Sequence, residues 1–74
     1  GKVDLAKYKK KDWYWKSLGI AAPARRGLVD NKLYKLSDLK KITKIQLLKI
    51  HAVGPSATKI IEHEMRRYKF SFKK

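Results

Sequence analysis

The chain has 74 residues, no cysteine, and 20 Lys and Arg against 6 Asp and Glu, a formal net charge of +14. That length allows one small domain, which buries only about 60% of the surface its unfolded chain exposes. Disulfides and thiolate metal sites are excluded, 43% hydrophobic residues argue against compositional disorder, and the excess of cations points to a polyanionic partner, nucleic acid foremost.

Residues 1–11, GKVDLAKYKKK, carry five lysines and one acid and read as a flexible basic arm with a frayed helical turn. The domain proper is expected over 12–72. In 12-DWYWKSLGI-20, Asp12 is placed to cap a short helix, and at least one of Trp13 and Trp15 is expected to plug the core. In 21-AAPARRGLVDNK-32, Pro23 suits a first helical position. Ala21, Ala24, Leu28 and Val29 form the apolar side, and Asn31 and Lys32 end the helix, Asn31 tolerating the left-handed conformation of a stop. In 33-LYKLSDLKKI-42, Ser37 is read as an N-cap, with Leu33, Leu36 and Leu39 pointing inward.

The clearest local signal is 42-ITKIQLLKI-50. Thr43 and Gln46 have the spacing of a capping box, and Ile42 and Leu47 that of a hydrophobic staple. A helix is expected from Thr43 to about Lys49, with Ile45, Leu47 and Leu48 facing the core. The last helix starts at Pro55 and ends near Tyr68. Ala57, Ile60, Ile61, Met65 and Tyr68 lie on one face of it. The tail 70-FSFKK-74 is expected to tuck a Phe onto the bundle. No strand pattern competes, so the fold class is all-α, a compact bundle of four to five short helices.

The junction 50-IHAVGPSATKII-61 carries the functional expectation. Gly54 at the N-cap offers no side-chain oxygen, and the N–H groups of Ser56 and Ala57 have no intrahelical acceptor. The helix dipole places partial positive charge there, which suits a phosphate. Ser56, Thr58 and Lys59 lie within the first turn. The order of helix, turn and helix is that of a helix-hairpin-helix motif, and 50-IHAVG-54 resembles its hydrophobic-x-Gly-hydrophobic-Gly core. Ala52 stands where that family usually has Gly.

From about Leu18 to Phe72 the chain resembles the C-terminal domain of the bacterial RNA polymerase alpha subunit and its small stand-alone relatives. The carrying stretches are 18-LGIAAPARRGLVDNKLYKLSDL-39, 43-TKIQLLKIHAVGPSATKIIEHEM-65 and 70-FSF-72. The resemblance implies a SAM-like helical fold and DNA contact from two places. One is the hairpin, with Gly54, Ser56 and Ala57; His51, Ala52, Thr58 and Lys59 in the turn and first helical turn complete the candidate DNA-binding set there. The other is the start of the preceding long helix, with Arg25 and Arg26. The family's main groove-reading arginine aligns near Pro23, where this chain has none. A weak internal repeat links the two places: 20-IAAPARRGLV-29 lies over 52-AVGPSATKII-61, proline on proline, with Ala22 on Gly54.

The expected function is therefore largely sequence-independent, salt-dependent binding of double-stranded DNA by a monomer. Two other readings rest on particular residues: a structured-RNA or single-strand binder stacking bases on Trp13 or Trp15, and an interaction module for an acidic protein. His51 and His63 are too few for a metal site, and no paired carboxylates, Ser-His-Asp set or phosphate loop point to an enzyme or a cofactor. No apolar run is long enough to span a bilayer. A cytoplasmic location is expected.

Overall fold

A computed structural model describes residues 5–74, apart from the side chains of Leu5 and Lys7. In chain order the helices are α1 (Leu5–Lys11), α2 (Trp13–Ser17), α3 (Ala22–Asp30), a 3₁₀ segment (Leu36–Lys41), α4 (Lys44–Leu48) and α5 (Pro55–Arg67). There is no strand among the described residues, so the class is all-α. Among the described residues, no helix is long and apolar enough to cross a membrane.

Of the basic segment 1–11, residues 1–4 lie outside the described residues. Leu5–Lys11 forms a helix. Tyr8 holds it to the domain, its hydroxyl donating to the Asp30 carboxylate at 2.7 Å. Lys11 adds a second contact, its ammonium 5.4 Å from the centre of the Tyr34 ring; periodicity gives no warning of such polar attachments.

The core is built from all the later elements. Trp15, Ile20, Leu28, Leu39, Leu47 and Ile61 are fully enclosed, with Ala24, Leu33, Leu36, Val53, Ala57 and Met65 packed among them. Trp15 is the expected plug. Its indole N–H donates to the Leu33 carbonyl at 2.7 Å, which satisfies the polar edge of a buried ring. Phe70 and Phe72 pack against this core, and the Lys73 N–H donates to the Ile42 carbonyl at 2.8 Å, closing the tail onto the start of α4.

Three helices end in the same way. After α2, α3 and α5 the next residues turn left-handed at Gly19 (φ 84°), Lys32 (φ 60°) and Lys69 (φ 58°). The following N–H reaches back to the helix: Ile20 to Trp15, Leu33 to Leu28, Phe70 to Met65. This Schellman geometry places an apolar residue on the core immediately after each stop. At the end of α3 the left-handed residue is Lys32, not Asn31. Asn31 stays at φ −99° and its side-chain amide donates to the Gly27 carbonyl at 2.9 Å.

Two expected caps differ. Asp12 precedes α2 but makes no cap bond, because its carboxylate is drawn to Arg25. The 3₁₀ segment begins after Lys35, and Asp38 serves where Ser37 was expected. Its carboxylate accepts from the N–H groups of Tyr34 and Lys35 at 2.8 and 3.2 Å, the stronger charge-assisted acceptor winning. The Thr43–Gln46 box forms in both directions, at 3.1 and 2.8 Å. Yet only Leu47 of its helix faces inward. Ile45 is 66% exposed and Leu48 48%, and Tyr68 at the end of α5 is also exposed. In a helix of five residues, one turn of apolar side chains cannot all reach one core.

Candidate functional site

Two helix starts dominate the site. Gly54 is the N-cap of α5, extended at φ −97° and ψ −170°, with Pro55 as the first helical residue and no side-chain cap. The turn before it closes when the Val53 N–H donates to the Ile50 carbonyl at 3.1 Å. Ala52 occupies the third position of that turn at φ 70°, the left-handed conformation that a type II turn demands there and that Gly normally supplies. The chain thus keeps a glycine-type turn with alanine in it, at a cost of roughly 1 kcal/mol.

The start of α3 is built alike. Ala21 is the N-cap, extended at φ −64° and ψ 152°, again with no side-chain cap. The cap falls one residue earlier than the proline-on-proline alignment requires, so Ala21, not Ala22, corresponds to Gly54. In this register the likeness improves. Left-handed Gly19 matches left-handed Ala52. Buried Ile20, Ala24 and Leu28 match buried Val53, Ala57 and Ile61. Burial sets the register, because proline fits more than one place in a first turn whose N–H groups have no intrahelical acceptor.

Both starts open on one groove of about 270 Å³. Gly19, Ile20, Ala21 and Ala24 line one side; Ala52, Gly54, Pro55, Ser56, Ala57 and Ile60 line the other. Within the second unit, Ser56 and Lys59 are exposed and Lys59 has no ion-pair partner among the described residues. Ala57 is buried, so only its backbone N–H is of use to a ligand. Thr58 is also buried, and its hydroxyl donates to the Gly54 carbonyl at 2.9 Å. That hydroxyl is engaged within the fold.

The adjacent arginines have opposite fates. The Arg25 Nε meets the Asp12 carboxylate at 2.9 Å and a terminal guanidinium nitrogen donates to the Ile20 carbonyl at 2.6 Å. Asp30, further along α3, is engaged by Tyr8. Arg26 makes no hydrogen bond or ion pair among the described residues. It lines a second groove of about 350 Å³ with Pro23, Gly27, Ile50, His51 and Ala52, so Arg26 and His51 stand on either side of the contact between α3 and the turn.

Gly27 makes that contact possible. A Cβ there would lie 2.6 Å from the His51 carbonyl oxygen and 3.0 Å from Ile50 Cγ2. Nothing in the local pattern marked Gly27 beyond its being a glycine inside a helix, which often signals close packing. The two candidate aromatic rings also separate. Trp15 is fully enclosed and presents no face to a base, whereas Trp13 is 67% exposed.

No protein-family model, curated protein or solved structure matches the chain.

Proposed function

We propose that the chain is a small DNA-binding protein that grips the phosphate backbone of a duplex through the starts of α3 and α5, largely without regard to sequence, and that α4, its turn and α5 serve as a helix-hairpin-helix. The observation that carries this reading is the convergence of two uncapped helix starts on one groove in a chain of net charge +14. Helix starts offer oriented N–H groups and partial positive charge to phosphate. The left-handed Ala52 supports the motif, since the turn keeps the backbone shape that the usual glycine gives.

In this reading Gly54, Ser56 and the Ala57 amide hold one phosphate, with Lys59 beside them. The Ala21 junction and Arg26 hold another. Arg25 positions the α3 start and does not itself touch DNA. His51 flanks Arg26 at the edge of the interface.

Titration of isotope-labelled protein with a short duplex at about 150 mM salt, where the Debye length is roughly 8 Å, tests the reading. Amide shifts should concentrate at Ala21–Arg26 and Gly54–Ala57. Log affinity should fall with log salt with a slope of about −2 to −4, as for a few neutralised phosphates. Shifts confined to the Lys-rich segment before Asp12, or none, would reject the helix starts and favour an acidic protein partner.

A further inference from the structure

We propose that a second site, in the groove between α2, the 3₁₀ segment and the end of α5, takes an unpaired nucleobase that carries an exocyclic amine. The groove holds about 480 Å³ and is walled by Tyr14, Lys35, Glu64, Arg67, Tyr68 and Phe70. It lies at the other end of α5 from Gly54, about 15 Å along the helix axis from Gly54 to Glu64, so it is separate from the phosphate-gripping groove and does not depend on it.

The chemistry of the walls selects the occupant. Tyr68 is 55% exposed, its ring tilted 34° to that of Phe70 at 6.4 Å, with the Arg67 guanidinium 5.4 Å from the Tyr68 ring centre. An exposed aromatic face beside cations is what single-strand binders offer to bases and phosphates. Lys35 and Arg67 line the same groove and supply its positive charge for a nucleotide's phosphate. Glu64, only 8% exposed, holds a carboxylate at the groove, bonded to Arg67 at 3.0 Å. The Tyr14 phenol is pushed above its ordinary value, first by burial and then by Glu64, so it stays a neutral donor or acceptor at physiological pH.

Glu64 separates the possible guests. An acidic peptide would bring like charge against it. At position 4 thymine presents a carbonyl where cytosine presents an amine, so a carboxylate facing that position accepts from cytosine and is opposed by thymine, whose one ring donor is N3–H. A neutral, flat ring with an N–H₂ group satisfies both the aromatic walls and the carboxylate.

The test compares fluorescently labelled oligodeoxycytidylate and oligothymidylate of equal length by anisotropy at about 150 mM salt. The deoxycytidylate should bind about fivefold or more tightly, as expected for one base-specific contact. Tyr68→Ala, at an exposed position that leaves the core intact, should weaken that binding about tenfold through lost stacking. Glu64→Gln should erase the preference, since an amide can present either an acceptor or a donor. Gly54→Glu should leave oligodeoxycytidylate binding unchanged whatever it does to duplex binding, which keeps this site and the helix starts distinguishable. Equal affinity for the two oligomers, no effect of Tyr68→Ala, loss of oligomer binding in Gly54→Glu, or displacement by an oligoglutamate peptide would each overturn the proposal.

Discussion

The starts of α3 and α5 have similar backbones and different side chains, and the difference separates what the fold needs from what a ligand could use. In both, a left-handed residue, a buried aliphatic and an uncapped extended residue lead into the helix, and a buried alanine follows in the first turn. The next position is then committed to the fold in each: Arg25 to Asp12 and Ile20, Thr58 to the Gly54 carbonyl. The position after that carries the outward cation, Arg26 or Lys59. Each unit therefore gives one side chain to its own closure and one to the surface. The units differ in packing as well. Gly27 lets the second turn close on α3, while Ile60, at the corresponding place on α5, lines the groove facing Gly19 and leaves it open.

Substitutions can break or sharpen this comparison. Gly27→Ala should be the most damaging, because its Cβ would meet backbone that has no other place to go. A loss of about 3 kcal/mol in urea unfolding is expected for such overpacking. Arg25→Ala leaves the buried Asp12 carboxylate without its partner and should cost about 2 kcal/mol, while Arg26→Ala should change stability by no more than about 0.5 kcal/mol and act on duplex affinity alone. Equal destabilisation by the two arginine variants would refute the division of labour between them.

Gly54→Glu meets nothing within 4 Å and sits at an ordinary φ, so helicity by circular dichroism should persist. On the proposed reading its carboxylate takes the place of a phosphate at the helix start, and duplex affinity should fall tenfold or more, about 1.4 kcal/mol. Ala21→Glu should do the same if the two starts act as a pair. The smallest effects are the most diagnostic of the repeat. Gly19→Ala should lose about 1 kcal/mol of stability, because its left-handed backbone then carries a Cβ. Ala52→Gly should gain about 0.5 kcal/mol, the relief of strain being partly offset by the greater freedom of glycine in the unfolded chain. Opposite signs in thermal unfolding would establish that the two turns share one backbone shape.

Interactions within a few residues were legible. The Thr43–Gln46 box, the inward Leu33, Leu36 and Leu39, the uncapped Gly54–Pro55 junction and the helical class all follow from spacing, since each involves groups about one helical turn apart. The repeat was legible only in outline, because the prolines that draw the eye do not set its register. Apolar periodicity placed Ile45, Leu48 and Tyr68 inward, and the structure leaves all three exposed, because α4 is too short to present more than Leu47 to the core and Tyr68 stands at the very end of α5.

By itself, then, the sequence determined the helices after α1, most of their ends and the large positive charge. The tertiary structure alone decided which arginine is engaged by Asp12, that Tyr8 fastens α1 to Asp30, that Gly27 admits the turn, and that both helix starts share a groove. The reason is physical. Caps and periodicity act between neighbours along the chain, whereas ion-pair choice and close approach are set by residues that only the packed core brings together.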